Sequence, residues 1–365
     1  MQTSDRLESL DLLRGLTIVL MIVVNSPGTW EYVFGALRHS AWDGLTLADT
    51  VFPCFLFMMG ITTFLSLRRR GRRLTKDLTL KIVRRTALLF LLGLLINYAA
   101  AMFPPLSELR IPGVLQRFAV CYLAVSLLAV CVRLRAMALI AALLLIVYAL
   151  LTFVGGGFTY GEGSVLSTVD QWAFGAHMLN DGGCDPEGLL STLPSIAHTL
   201  LGYLAGWLLT AQRPLHERLL ALAFCATSML FLGFLLSDAF PINKRVWSAT
   251  FVLVTCGLSL LALIWFAYVV DVKHWPLPRR TLRAFGMNPL FCYIVGELTY
   301  IALYSIPVPA ASSAAPQSLQ DFLYGQLATV VGNSCFTSLL FAFLVAAFVG
   351  ILANALLRRG IVIRI

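Results

Sequence analysis

Ten apolar runs set the limits on what this chain can become: residues 11–29, 48–67, 80–102, 112–132, 136–154, 190–210, 218–237, 247–270, 284–304 and 335–357. Crossing a hydrocarbon core of about 30 Å takes roughly 20 helical residues, and each run comes close to that length or exceeds it. Backbone polar groups in lipid must be satisfied internally, which admits only helices and closed β-barrels. Barrel strands alternate polar and apolar residues, whereas these runs are continuous in Leu, Ala, Val and Phe. Composition agrees, with 59% of residues hydrophobic and 12% charged, against roughly 25% charged in soluble domains. The expected fold class is all-α: a polytopic membrane protein with about ten transmembrane helices, in a single domain covering residues 1–365. Residues 320–332 form a shorter amphipathic piece, expected to be interfacial or re-entrant.

Cytoplasmic loops are enriched in Lys and Arg near the ends of spans. With the N-terminus inside, all of the 27 Lys and Arg residues fall on the inner side except Arg38, Arg110, Arg117, Lys244 and Arg245. Both termini are therefore expected to be cytoplasmic, with a basic inner loop at 68–79. The net charge of +9 reads as a topology signal, not as nucleic-acid binding. The outer loops are then 26–47, 104–111, 155–189, 238–246 and 305–319, and function is expected on that side. Asp5, Glu8 and Asp11 spoil the basic start of a signal peptide, so the first run is expected to stay in the membrane. The eight cysteines contain no C-x-x-C pair and most lie inside runs, which suggests neither a zinc site nor a disulfide framework. Cys184 is the clear outer-loop thiol, and a bond to Cys335 is the one pairing worth weighing.

"RHSAWDGLTLADTVFPCF", residues 38–55, concentrates ionisable chemistry at the mouth of a span. A lone loop histidine is usually just solvated, but His39 has Asp49 ten residues on, and an acid entering a membrane is costly unless it pairs. A His–Asp pair would fix the imidazole tautomer and raise its basicity, as a general base acting on an amine or hydroxyl requires. Asn25, at the outer end of the first run, could donate to a developing oxyanion. Asp49 could equally cap the second span, and the two roles are compatible. Trp42 and Asp43 in the same stretch are expected to bind substrate.

Four further stretches carry polar residues where apolar ones would serve. In "DPEGLLSTLPS", residues 185–195, Asp185 and Glu187 either complement the N-terminus of the following helix or hold an amine or sugar hydroxyl. In "IPGVLQRFAVCY", residues 111–122, Gln116 and Arg117 lie about one turn into a span, where an arginine either snorkels or is held by an acid or an anionic ligand. "FPINKRVWS", residues 240–248, reads as a tight turn with Trp247 as an interfacial anchor. "FGMNPLFCY", residues 285–293, puts Asn288 and Pro289 inside a run, as though the helix were broken there. The glycine-rich loop 155–189 lacks the strand and helix that a phosphate-cradling loop needs.

Together these stretches resemble one family. "LDLLRGLTIVLMIVVNSPG", "RHSAWDGLTLADTVFPCFLFMMGI", "RIPGVLQRFAVCYL", "DPEGLLSTLPSIAHTLLG" and "FPINKRVWSATFVLVTCGLSL" occur in the order and spacing of heparan-α-glucosaminide N-acetyltransferase and its bacterial relatives. The resemblance covers nearly the whole chain and implies a short bacterial member without the long luminal domain of the animal enzyme. It implies a transferase in the bacterial inner membrane, possessing acetyl-CoA as co-substrate, no metal, an amino-sugar or glycan acceptor on the far side of the bilayer, and a homodimeric state. Matched to the family's motifs, His39 takes the place of the active-site histidine, with Asn25 and Asp49 as its neighbours. Asp43 stands where the animal enzyme has an asparagine, a departure that bears on the acceptor. For the CoA end, the inner face offers Arg72 and Arg73 in "RRRGRR" and Arg279 and Arg280 in "PRR", although positive-inside topology alone accounts for most of those charges. Gln116, Arg117 and Asn288 are candidates along the path of the pantetheine arm.

A secondary transporter of amino sugars or oligosaccharides fits ten spans equally well. Such transporters usually show internal repeats with broken helices at matching positions, and only Asn288–Pro289 suggests a break. Acylation of a lipid-linked or cell-wall glycan keeps the chemistry and changes the acceptor.

Overall fold

A computed structural model describes residues 8–363 apart from 72–73, 162, 180–182 and 310–315. Among the described residues the chain forms thirteen α-helices and a two-residue β-ladder, β1 (Pro307–Val308) with β2 (Gln317–Ser318). The helices are α1 (Glu8–Asn25), α2 (Leu47–Arg69), α3 (Lys76–Ala100), α4 (Val114–Cys131), α5 (Leu134–Val154), α6 (Val165–Phe174), α7 (Thr192–Leu209), α8 (Leu215–Leu235), α9 (Ala249–Ala267), α10 (Arg279–Met287), α11 (Pro289–Ser305), α12 (Leu319–Val331) and α13 (Cys335–Arg358). Nine of the ten apolar runs overlie one helix each, the run 284–304 falls on both α10 and α11, and 320–332 overlies α12.

Among the described residues, six helices are long and apolar enough to cross a membrane: α2, α4, α5, α8, α9 with its terminal π-turn Tyr268–Val272, and α13. The other expected spans fall on helices that are more polar or shorter. Glu8, Asp11 and Arg14 lie in α1, five charged residues open α3, His198 and several hydroxyls dilute α7, and α11 has 17 residues. The run 284–304 is divided, as the Asn-Pro pair suggested. Asn288 joins α10 to α11, its Nδ2 donating to the carbonyl of Ile361 at 3.1 Å and its Oδ1 accepting from the amide of Ile363 at 2.7 Å. None of the eight cysteines is in a disulfide, so the Cys184–Cys335 bond is not formed.

Contacts gather the chain into two compact units. One comprises the segment up to His39, Thr46–Val51 and the chain from Trp265 onward; the other comprises Ser40–Leu45 and Phe52–Ile264. In the first, α1 and α10 meet backbone to backbone. A Cβ on Gly15 would sit 1.9 Å from the carbonyl oxygen of Leu282, and one on Gly286 1.9 Å from that of Asp11. In the second, α2 and α7 approach as closely, a Cβ on Gly60 falling 2.1 Å from the Thr199 oxygen and one on Gly202 2.1 Å from the Phe57 oxygen. Small residues at such crossings let helices gain dispersion contacts that lipid cannot otherwise drive. α5 and α8 leave most of their apolar surface uncovered, as lipid-facing helices do.

Candidate active site

Thr46 precedes α2, and its backbone N–H and hydroxyl both donate to Asp49 Oδ2, at 3.1 and 2.9 Å. This is one half of a capping box, with the acid three residues beyond the cap; the Asp49 amide donates to the Thr46 carbonyl at 3.2 Å and not to its hydroxyl. The cap is therefore Thr46, and Asp49 is its partner in the first turn, not the cap itself. The other carboxylate oxygen, Oδ1, lies 2.8 Å from His39 Nδ1. Asp49 is fully buried, while the His39 side chain is 41% exposed. One buried carboxylate thus contacts both the imidazole and the residue preceding α2, using a different oxygen for each. Nδ1 is turned to Asp49, and Nε2 is the ring's other nitrogen.

Asn25, the last residue of α1, donates from Nδ2 to Glu297 Oε1 on α11 at 2.9 Å. Glu297 did not emerge from the sequence as a site residue. The signal was present, since it is the one acid in the run 284–304 and an ionisable residue in a span points to function.

The remaining predicted acceptor-side residues lie in the other unit, each with a partner. Trp42 Nε1 donates to the carbonyl of Phe158 at 2.9 Å, and its ring meets Tyr160 edge-on at 5.0 Å. Asp43 Oδ1 accepts from Asn243 Nδ2 at 3.1 Å. Asp185 and Glu187 are both grasped by Arg110. Its Nε and Nη2 reach the two oxygens of Asp185 at 2.9 and 2.6 Å, and Nη2 also reaches Glu187 Oε2 at 2.6 Å. Burial acts to lower the Arg110 pKa, but the paired carboxylates outweigh it and the guanidinium is held above its ordinary value.

Asp170 on α6 fastens the same turn from the other side, and nothing in the sequence pattern marked it. Its Oδ1 accepts from the amide of Leu189 at 2.8 Å and its Oδ2 from that of Asp185 at 3.2 Å. Gly188 is required beside it, because a Cβ there would fall 2.0 Å from Asp170 Oδ2. Burial pushes the Asp170 carboxyl up to about 6, against the two amide donors that pull it down. A carboxyl raised in the folded state favours its protonated form. The stability it contributes is complete below the ordinary value of 3.8 and is lost as the pH rises through about 6. Compared with Asp170→Asn, which cannot ionise, wild type should lose up to about 3 kcal/mol of relative stability between pH 4 and pH 7. Thermal unfolding in detergent across that range reads the difference, and parallel curves for the two proteins would refute it.

Arg117 does not snorkel, and among the described residues it is not paired directly with an acid. It is buried; Nη2 donates to Ser191 Oγ and lies 3.4 Å from the Gly188 carbonyl, and the guanidinium sits 4.9 Å over the Trp247 ring. Its Nε and Nη1 make no hydrogen bond among the described residues. Gln116 is buried against Gly93 and Gly113, its amide likewise without a partner among those residues. Trp247 is 1% exposed, which corrects its reading as an interfacial anchor. A left-handed backbone at φ 56° turns the side chain inward, where it also packs edge-on against Phe52 and Phe251.

Of the basic residues expected at the CoA end, Arg72 and Arg73 lie outside the described residues. Arg279 donates to the carbonyl of Trp275 at 3.1 Å and lies 3.9 Å from Glu8. Arg280 lines a cleft of about 830 Å³ formed by α1, α10 and α13, together with Thr281, Asn354, Arg358 and Arg359 on apolar walls. The two C-terminal arginines were counted in the sequence only as topology signals. Asn288, expected beside the pantetheine, spends its amide on residues 361 and 363.

The long apolar helices define the class, a helical integral membrane protein, and in one unit a buried carboxylate stands 2.8 Å from an exposed imidazole. Residues 6–239 match the family described as heparan-α-glucosaminide N-acetyltransferase, catalytic, and the chain belongs to that family. It is 31% identical to the heparan-α-glucosaminide N-acetyltransferase of Mus musculus, with 81% of this chain and 54% of the mouse protein covered. To the Homo sapiens protein of the same name it is 30% identical, with 80% and 53% covered. The chain thus spans about half the length of the curated relatives it matches.

Proposed function

We propose that this chain is a transmembrane acetyltransferase of a bacterial inner membrane. It moves the acetyl group of cytoplasmic acetyl-CoA to the amine of a glucosamine-type sugar on the opposite side, with about ten spans and both termini in the cytoplasm. The observation that carries this reading is the His39–Asp49 pair, in which an exposed imidazole is backed by a buried, doubly anchored carboxylate. An amino-sugar nitrogen is protonated for much of the time near neutral pH, so the acceptor must lose a proton before or during attack on the acetyl carbonyl. His39 Nε2 takes that proton, and Asp49 stabilises the imidazolium that results. The thiol of CoA leaves as the amide forms, and the proton on His39 is available to it.

For the donor, the cleft at Arg280, Arg358 and Arg359 supports a nucleotide end: three guanidiniums suit phosphates, and the apolar walls suit the arm. The names of the mouse and human relatives support the acetyl group and the glucosamine-type acceptor. Sealed inside-out vesicles loaded with glucosamine and supplied with external acetyl-CoA test the reading. N-acetylglucosamine should accumulate in the lumen without net glucosamine flux. Flux without acetylation would make the protein a transporter, and activity only in right-side-out vesicles would reverse the topology.

A further inference from the structure

Glu297 poses a problem that the catalytic pair does not solve. It projects from an apolar helix into a cleft lined by Ile18, Met21, Asn25, Tyr293, Gly296 and Tyr300, all within one compact unit. One neutral amide donor, Asn25, reaches Oε1 at 2.9 Å, and the described residues supply Oε2 with no hydrogen bond and the carboxylate with no Lys, Arg or His. A carboxylate can accept about four hydrogen bonds, and Glu297, partly withdrawn from water, has no counter-charge among the described residues to offset that loss of solvation. The cleft has about 10 Å³ of free volume, room for a group the size of one water or one ammonium and not for a sugar ring.

Aromatic surface stands at hand for the rest of such a ligand. Tyr300 accepts from Trp30 Nε1 at 3.3 Å and stacks on Tyr304 with centroids 6.5 Å apart and planes 19° from parallel. Trp30 is 47% exposed, and its carbonyl accepts from Arg38, the residue preceding His39, at 2.9 Å. Exposed aromatic faces beside an anionic slot are suited to a pyranose carrying a cation, the ring lying on the aromatics and the charge entering the slot.

We propose that the Asn25–Glu297 cleft is a recognition subsite for the protonated amine of the acceptor, with Glu297 as counter-charge and Asn25 as the group that orients it. The inference rests on the transferase reading for the identity of the amine, yet it concerns binding and is tested without turnover. It gives Asn25 a part different from the oxyanion donor expected from sequence. If the pair were only a hydrogen bond fastening α1 to α11, glutamine would serve as well as glutamate, because its carbonyl can still accept from Asn25.

The test compares wild type with Glu297→Gln and Glu297→Asp in detergent, measuring glucosamine and N-acetylglucosamine binding by Trp fluorescence and calorimetry with acetyl-CoA absent. Wild type should bind glucosamine at least tenfold more tightly than N-acetylglucosamine, and Glu297→Gln should lose that preference while keeping the thermal midpoint of wild type. Glu297→Asp, which keeps the charge, should retain part of the preference and guards against loss through misfolding. In turnover, Glu297→Gln should raise KM for glucosamine tenfold or more and leave KM for acetyl-CoA unchanged. Equal affinity of wild type and Glu297→Gln for glucosamine, or no preference in wild type, overturns the subsite even if acetyl transfer is intact. A Glu297-dependent preference in a protein that transfers no acetyl group would uphold the subsite and refute the transferase reading.

Discussion

His39→Ala should lower acetyl transfer by about 10²–10⁴-fold, the range that a positioned general base contributes, while acetyl-CoA still binds. His39→Gln should be no better, since an amide reproduces hydrogen bonding but takes up no proton at neutral pH. Asp49→Asn should follow in the same direction with a smaller loss. Both oxygens of Asp49 are acceptors, one for His39 and one for Thr46, and an asparagine offers one carbonyl oxygen and a donor. It can keep both contacts only by donating its amide to Nδ1, which leaves the ring proton on Nε2 and so fixes the tautomer that cannot act as base there, and in every case it loses the charge that stabilises imidazolium. The measurements are kcat/KM for glucosamine acetylation and acetyl-CoA affinity on inserted, folded protein. If either His39 variant kept more than about a hundredth of wild-type turnover, the ring would be contributing less than a general base does. Unchanged activity of Asp49→Asn across pH 6–8 would dismiss the pair.

Arg110→Ala should be the most destabilising single change outside the helices. The Asp185 side chain is fully buried and that of Glu187 is 13% exposed, and Arg110 is the cation that joins them. Removing one partner of a buried ion pair leaves an uncompensated charge, at a cost of about 3–5 kcal/mol. Arg110→Lys should be intermediate, because an ammonium keeps the charge but cannot bridge both oxygens of Asp185 as the planar guanidinium does. Thermal unfolding in detergent and the yield of inserted protein check this. An alanine variant within about 1 kcal/mol of wild type would mean that the cluster is solvated like a surface pair. The turn also presents Ser191 and the Gly188 carbonyl to Arg117, so its collapse should reach a second guanidinium.

Most of the helices were legible because a bilayer sets their length and an unbroken apolar run leaves few alternatives. The division at Asn288 was legible too, since proline removes a donor inside a run. His39 and Asp49 lie ten residues apart at the start of one helix, a separation over which local structure decides what meets what. Long-range partners were not legible in this way. Arg110 meets Asp185 and Glu187 across 75 and 77 residues, and either acid could as well have faced substrate. Asp170 acts on backbone amides, which every residue carries, so no pattern of side chains announces it. Trp247 was misread because the direction of a side chain at a turn depends on φ, and a left-handed tryptophan reverses the usual expectation for an aromatic at a span end.

The discontinuity of the first unit has a consequence for how the protein is made. Asn25 and Glu297 are 272 residues apart, and at about 5–20 residues per second a ribosome takes on the order of 15–55 s to pass from one to the other. Through that interval α1 is already synthesised while α10, whose backbone it meets at Gly15 and Gly286, does not yet exist. The stretch Phe52–Ile264 is translated entirely within the gap. The nascent chain therefore passes through a period in which the continuous unit can be complete and the first helix waits without its partners, exposing Asp11 and Arg14 to whatever insertion machinery surrounds it. Quality control during synthesis would then act chiefly on α1, the earliest helix made and among the last to be packed.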